Sequence, residues 1–159
     1  MDGYKKFIAV GCLALLGGYL LPWPSALGQT TTGLALLHLG YDAISGMHQV
    51  GQYDYGMVAT YSALALPALG AVLSLLYCLL WPARSNGSFG TFLFLLPLFS
   101  LVLTYLYLGA IKYDILPGGL LTSQVTDMIL DQAMDLSKTA GLWLVHLGVF
   151  LMMLGRLGR

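Results

Sequence analysis

Four long apolar runs separated by polar segments set the pattern of this chain. They occupy residues 4–21, 56–81, 89–111 and 140–157. A helix that crosses a bilayer needs about 20 mostly apolar residues, with a workable range of about 17 to 25. The runs are of that order. The pattern therefore predicts an all-α integral membrane protein, in which residues 1–159 form a single four-transmembrane-helix bundle.

The first run poses a question of its own. Lys5 and Lys6, an apolar stretch and then Ala26-Leu27-Gly28 together look like a secretory signal with a small-x-small cleavage site. The apolar stretch is long for a signal, which ordinarily has about 7 to 15 such residues. "PWP" at residues 22–24 offers another role. Proline lacks an N–H and clashes one turn back, so Pro22 and Pro24 stop a helix. Trp23 then anchors it at the interface. The expectation is an uncleaved first span.

Both extracytoplasmic segments predict short amphipathic helices. "TTTGLALLHLGYDAISGMHQ" reads as one capped by Thr31 or Thr32, with apolar residues on most sides, lying on the membrane or over the bundle. His38 and Asp42 stand one turn apart on it. "TSQVTDMILDQAMDLSKT" reads as a second, on which Asp127, Asp131 and Asp135 make an acidic stripe. These five residues are the candidates for docking a partner. The acidic stripe has a plainer reading as a solvated face. A helix running unbroken over 122–157 would be roughly 54 Å long. It must project from the membrane or bend near Gly141.

Composition supports the membrane reading. Apolar residues make up 58% of the chain and charged residues 9%, against about 25% charged in an ordinary soluble domain. Net charge is zero and there is no basic run, so nothing points to nucleic acid. Lys5, Lys6, Arg84, Arg156 and Arg159 fall on one side of a four-span layout; Lys112 and Lys138 fall on the other. The positive-inside rule then puts both termini in the cytoplasm. Trp23, Trp81 and Trp143 each fall at an expected interface. The short loops and the basic start point to a bacterial plasma membrane.

Between helices in lipid, close approach at small residues matters more than apolarity. Ala59, Ala63, Pro67, Gly70, Ala71 and Ser74 form such a stripe in the second run, and Gly11, Ala14 and Gly18 another in the first. These two helices are expected to face each other or a common neighbour. Pro67 and Pro97 each free a carbonyl one turn back and kink their spans.

His146 lies within the fourth run. An ionisable side chain inside a span is a functional-site hypothesis by default. Thr104, Tyr105 and Tyr107 in the third run are its candidate partners, in a structural bond, a ligand or pigment site, or proton transfer. Cys12 and Cys78 belong to no CxxC, and no GxSxG, HExxH or phosphate-loop motif occurs. No metal site and no cofactor is assigned. The span interiors hold no Asp or Glu, which argues against a proton- or cation-coupled transporter.

The four-span plan with a longer first outer loop is similar in topology to the claudin-type tetraspan plan. The Trp…GLW…Cys…Cys signature of that plan is not in the first loop, and "GLW" occurs instead at residues 141–143. No function is carried over. The sequence is read as a non-catalytic accessory or scaffold subunit of a larger membrane complex, with the lipid bilayer and other membrane subunits as partners. The alternatives are a bundle that binds an apolar ligand (lipid, quinone or pigment) and a channel or transporter component.

Overall fold

The computed structural model describes residues 3–23, 31–51, 54–80, 88–113, 115, 127 and 136–157. Among the described residues, five helices and one two-residue strand pair follow in the order α1 (Gly3–Gly18), β1 (Pro22–Trp23), β2 (Thr31–Thr32), α2 (Gly33–Val50), α3 (Tyr55–Leu80), α4 (Ser88–Lys112) and α5 (Leu136–Leu157). Three helices are long and apolar enough to cross a membrane: α3, α4 from Gly90, and α5 from Thr139. The chain is an all-α, multi-pass membrane protein.

The first apolar run ends as a helix sooner than expected. α1 has 16 residues, about 24 Å at 1.5 Å per residue. Past Gly18 the amides of Tyr19, Leu20 and Leu21 donate to the carbonyls of Leu16, Gly17 and Gly18. These are i→i−3 bonds, which tighten the last turn. Helix is thus lost before Pro22 can end it. Pro22 pairs instead with Thr32, and Trp23 with Thr31, in the antiparallel β1–β2 ladder. Pro24 lies outside the described residues.

Trp23 is packed inside the protein. It is only 7% exposed. Its Nε1–H donates to the Gly18 carbonyl at 2.8 Å, closing one of the carbonyls that a helix end leaves open. Its ring lies 4.9 Å from that of Tyr19, centroid to centroid.

α1 runs antiparallel to α5 in the closest helix pair of the fold. A methyl group at Gly11 would stand 2.6 Å from the Gly148 carbonyl oxygen, and one at Gly148 2.6 Å from the Gly11 oxygen. Gly18 and Gly141 meet in the same reciprocal way, and Gly155 meets the backbone of Tyr4. The small residues recur every seven positions on both helices. A seven-residue spacing keeps one seam of a helix facing its partner. Ile8, Cys12 and Leu15 on α1 and Val145, Val149 and Met152 on α5 fill the adjoining core.

The small-residue stripe of α3 faces a different neighbour. Gly70 packs on the Pro97 ring of α4, and Ser74 is fully buried with its hydroxyl on α4. The glycines of the two stripes make their closest contacts elsewhere, α1 with α5 and α3 with α4, while α1 and α3 also face each other, with Ala71 and Cys78 in one core cluster with Ile8, Cys12 and Leu15. Ala59, Ala63 and Ala14 are half-buried.

Thr32 caps α2, accepting from the Ala35 amide at 3.1 Å, and Gly51 ends it with φ of 71°. Asp54 caps α3, its carboxylate accepting from the amides of Gly56 and Met57. α5 breaks from helical geometry at Thr139 (φ −129°, ψ 21°). The expected bend thus falls two residues before Gly141, because Gly141 itself is fixed against Gly18 and Trp23.

Candidate functional site

Each span proline leaves one carbonyl of the preceding turn without its amide donor. Pro67 leaves Ala63, and Pro97 leaves Leu93. The neighbouring helix serves both. Thr104 on α4 donates to the Ala63 oxygen at 3.0 Å. Ser74 on α3 donates to the Leu93 oxygen at 2.6 Å. Tyr19 reaches the same region of α3, donating to the Leu64 oxygen at 2.6 Å. In a hydrocarbon environment an unserved backbone carbonyl costs several kcal/mol, so the Ser74 and Thr104 hydroxyls serve the carbonyls that the prolines free and tie α3 to α4.

His146 is held from two sides. Its Nδ1 lies 2.7 Å from the Leu142 carbonyl oxygen, and its Nε2 lies 2.6 Å from the Tyr105 hydroxyl. A carbonyl only accepts, so Nδ1 carries a hydrogen. In the neutral ring Nε2 is then the acceptor, and Tyr105 donates to it. The Trp143 ring flanks the pair, 6.4 Å from the imidazole centroid. Both ring nitrogens are engaged by the protein itself, and the bond joins α4 to α5.

Tyr107 is not part of this arrangement. Two positions along a helix turn a side chain through about 200°, so Tyr107 faces α3 while Tyr105 faces α5. Its hydroxyl donates to the Gly56 oxygen at 3.1 Å. Thr60 donates to the same oxygen at 2.8 Å.

The outer candidates lie on separate elements. His38 Nδ1 and Asp42 form an i,i+4 pair at 2.8 Å, both exposed. Asp127 pairs with Lys112 at 2.8 Å, also in the open. Pairs this exposed contribute about 0 to 1 kcal/mol. Asp131 and Asp135 lie outside the described residues. Among the described residues no group of three His, Cys, Asp or Glu side chains is placed to hold a metal ion. Cys12 and Cys78 are both buried free thiols in one core cluster.

The other end of the bundle is basic. Lys5 is 5% exposed. It follows the buried stripe of Ile8, Cys12 and Leu15 along α1. Arg156 continues the buried stripe of Val149 and Met152 along α5, and its Nε is buried with no hydrogen-bond acceptor. On the outward side of the same helix ends, Gly3, Tyr4, Phe7, Leu154 and Gly155 line an open apolar groove of about 430 Å³.

Two of these features were open to sequence reasoning and missed. The glycines at 141, 148 and 155 repeat every seven residues inside an apolar run, and a Ser or Thr on the neighbouring span is the natural donor to a proline-freed carbonyl.

In comparisons with known proteins the chain matches no family model, no curated protein and no solved structure.

Proposed function

We propose that the chain is a four-helix membrane bundle that serves as a non-catalytic accessory or scaffold subunit of a larger membrane complex. The observation that carries this reading is the internal use of the span polar groups. Ser74, Thr104, Tyr107 and the Tyr105–His146 pair all close on this chain's own backbone or side chains. Their role is fastening helices together, and what faces outward is apolar. On α4 that outward face is a stripe of Phe92, Phe99, Leu103 and Leu106, spaced as one helix face.

α1 is the fourth span in this reading. It lies beside α5 from Tyr4 opposite Gly155 to Gly18 opposite Gly141, and so shares the depths of an apolar crossing helix. An even number of spans puts both termini on one side. The positive-inside rule makes that side the cytoplasm, here of a bacterial plasma membrane. α2, with Leu34, Leu39 and Tyr41 exposed, is an outer element against which a partner subunit docks.

Purification from native membranes in mild detergent, followed by quantitative mass spectrometry, tests the proposal. The expected result is a fixed set of polypeptides at constant stoichiometry, lost when Phe92 and Phe99 are replaced by Ala. Isolation as a lone chain with a chromophore or quinone that disappears in His146→Ala would overturn it. So would solute flux in liposomes holding this chain alone.

A further inference from the structure

We propose that Cys12, Met152 and Cys78 bind one soft monovalent metal ion, of the copper(I) class, inside the bundle. The inference goes beyond the subunit reading and does not depend on it. Cys12 Sγ and Met152 Sδ lie 3.8 Å apart where α1 packs on α5. Cys78 on α3 belongs to the same core cluster and is near enough to Cys12 for the charge of one to act on the other. Cys12, Met152 and Cys78 are 0%, 1% and 4% exposed. Three helices thus bring two thiols and a thioether into one dry interior, among Ile8, Leu15 and Val149.

The donors select the ion. Thiolate and thioether sulfurs are soft ligands that suit copper(I). Structural zinc takes four ligands, and among the described residues no three His, Cys, Asp or Glu side chains converge to supply them. The separation fits as well. At a metal–thiolate distance of about 2.3 Å, sulfurs 3.8 Å apart subtend roughly 110° at a shared ion. A linear two-ligand ion would need them about 4.6 Å apart. Cys12 and Met152 are therefore spaced as a bent pair, which leaves a place for a third sulfur. Each thiol gives its proton to water as its metal–sulfur bond forms. The thioether gives up nothing, and the ion stays monovalent, so no oxidant or reductant is consumed. Two thiolates and a monovalent cation leave one negative charge. Lys5, 5% exposed, stands near enough to Cys78 to act on its charge and brings the set to neutrality. A buried ionic group is tolerated when its charge is balanced in this way.

The test uses the full chain in dodecyl maltoside, kept reduced with ascorbate under argon. Copper(I) is supplied as its acetonitrile complex and competed with bathocuproine disulfonate. The expected result is one copper(I) per chain, with an X-ray absorption spectrum showing a sulfur-only shell at about 2.3 Å. Loading should also raise the melting temperature, because an ion that binds only the folded chain stabilises it. Met152→Leu keeps an apolar side chain of similar size and lowers the affinity at least tenfold. Cys12→Ser and Cys78→Ser each lower it at least a hundredfold. His38→Ala, at an exposed position on α2, leaves it unchanged. Wild-type protein that yields all its copper(I) to bathocuproine overturns the proposal, whether or not the variants fold. A shell containing nitrogen or oxygen overturns it too, as does undiminished binding in folded Cys12→Ser or Cys78→Ser.

Discussion

Ser74 on α3 donates its hydroxyl hydrogen to the carbonyl of Leu93 on α4 at 2.6 Å, the carbonyl to which Pro97 offers no amide. Thr104 returns the arrangement, donating from α4 to the Ala63 carbonyl freed by Pro67 at 3.0 Å. Each freed carbonyl is served by the other helix. This separates the present prolines from simple helix breakers, because the lost bond is replaced across an interface.

The replacement is measurable as a coupling. Ser74→Ala is expected to cost about 0.6–1.7 kcal/mol, the range found for hydrogen bonds between membrane helices. In a Pro97→Ala background the restored amide serves Leu93, so Ser74→Ala costs less. A double-mutant cycle on unfolding in mixed micelles should show a coupling of about 0.5 kcal/mol or more. Strict additivity would contradict the account.

Glycine substitutions should divide by location. A methyl at Gly148 meets the Gly11 oxygen and the Leu15 amide, each at 2.6 Å. Gly148→Ala therefore forces α1 and α5 apart and costs about 1–3 kcal/mol, as overpacking does. A methyl at Gly46 on α2 meets nothing within 4 Å. Gly46→Ala should raise stability by about 0.5–1 kcal/mol through helix propensity. Thermal denaturation of both variants in one detergent checks the opposite signs.

The Tyr105–His146 bond gives a spectroscopic prediction. Nitrogen-15 NMR of labelled histidine should show His146 as the tautomer with hydrogen on Nδ1, bonded to Leu142. Tyr105→Phe removes the donor to Nε2 and should shift that nitrogen alone while lowering stability by about 1 kcal/mol. His146→Ala should cost little more in the Tyr105→Phe background. A histidine signal that ignores Tyr105→Phe would contradict the pairing.

Sidedness follows from labelling. Cys12 and Cys78 are buried, so an impermeant thiol reagent meets little native background. Asp42→Cys, at an exposed position on α2, should react in intact cells. Lys6→Cys, exposed on α1, should react only after the membrane is opened. The reverse pattern would invert the proposed orientation.

The apolar runs gave the crossing helices within a residue or two for α3 and α4, because length and hydropathy act on each helix alone. The His146 site was half legible. Tyr105 and Tyr107 both stood near the right depth, and only the 200° between them decided which met the imidazole. Helix partners were less legible. Gly11 and Gly18 announced a close contact but not with whom, since Gly141, Gly148 and Gly155 are diluted among Leu, Val and Met. The packing of Trp23 was not legible, because it depends on three glycines. Gly33 and Gly141 leave room for the ring, and Gly18 accepts from its nitrogen. The burial of Lys5 was hidden for the same reason: a basic residue at the start of a span reads as a headgroup anchor until the facing helix is known.

The pairing of α1 with α5 also sets an order of events during synthesis. Among the described helices, the one made first finds its main companion in the one made last. Until translation reaches Thr139, the glycine seam of α1 has only lipid or a chaperone beside it. Closure of the bundle is then a late step, and a chain cut short anywhere before α5 leaves the glycine seam of α1 without its partner.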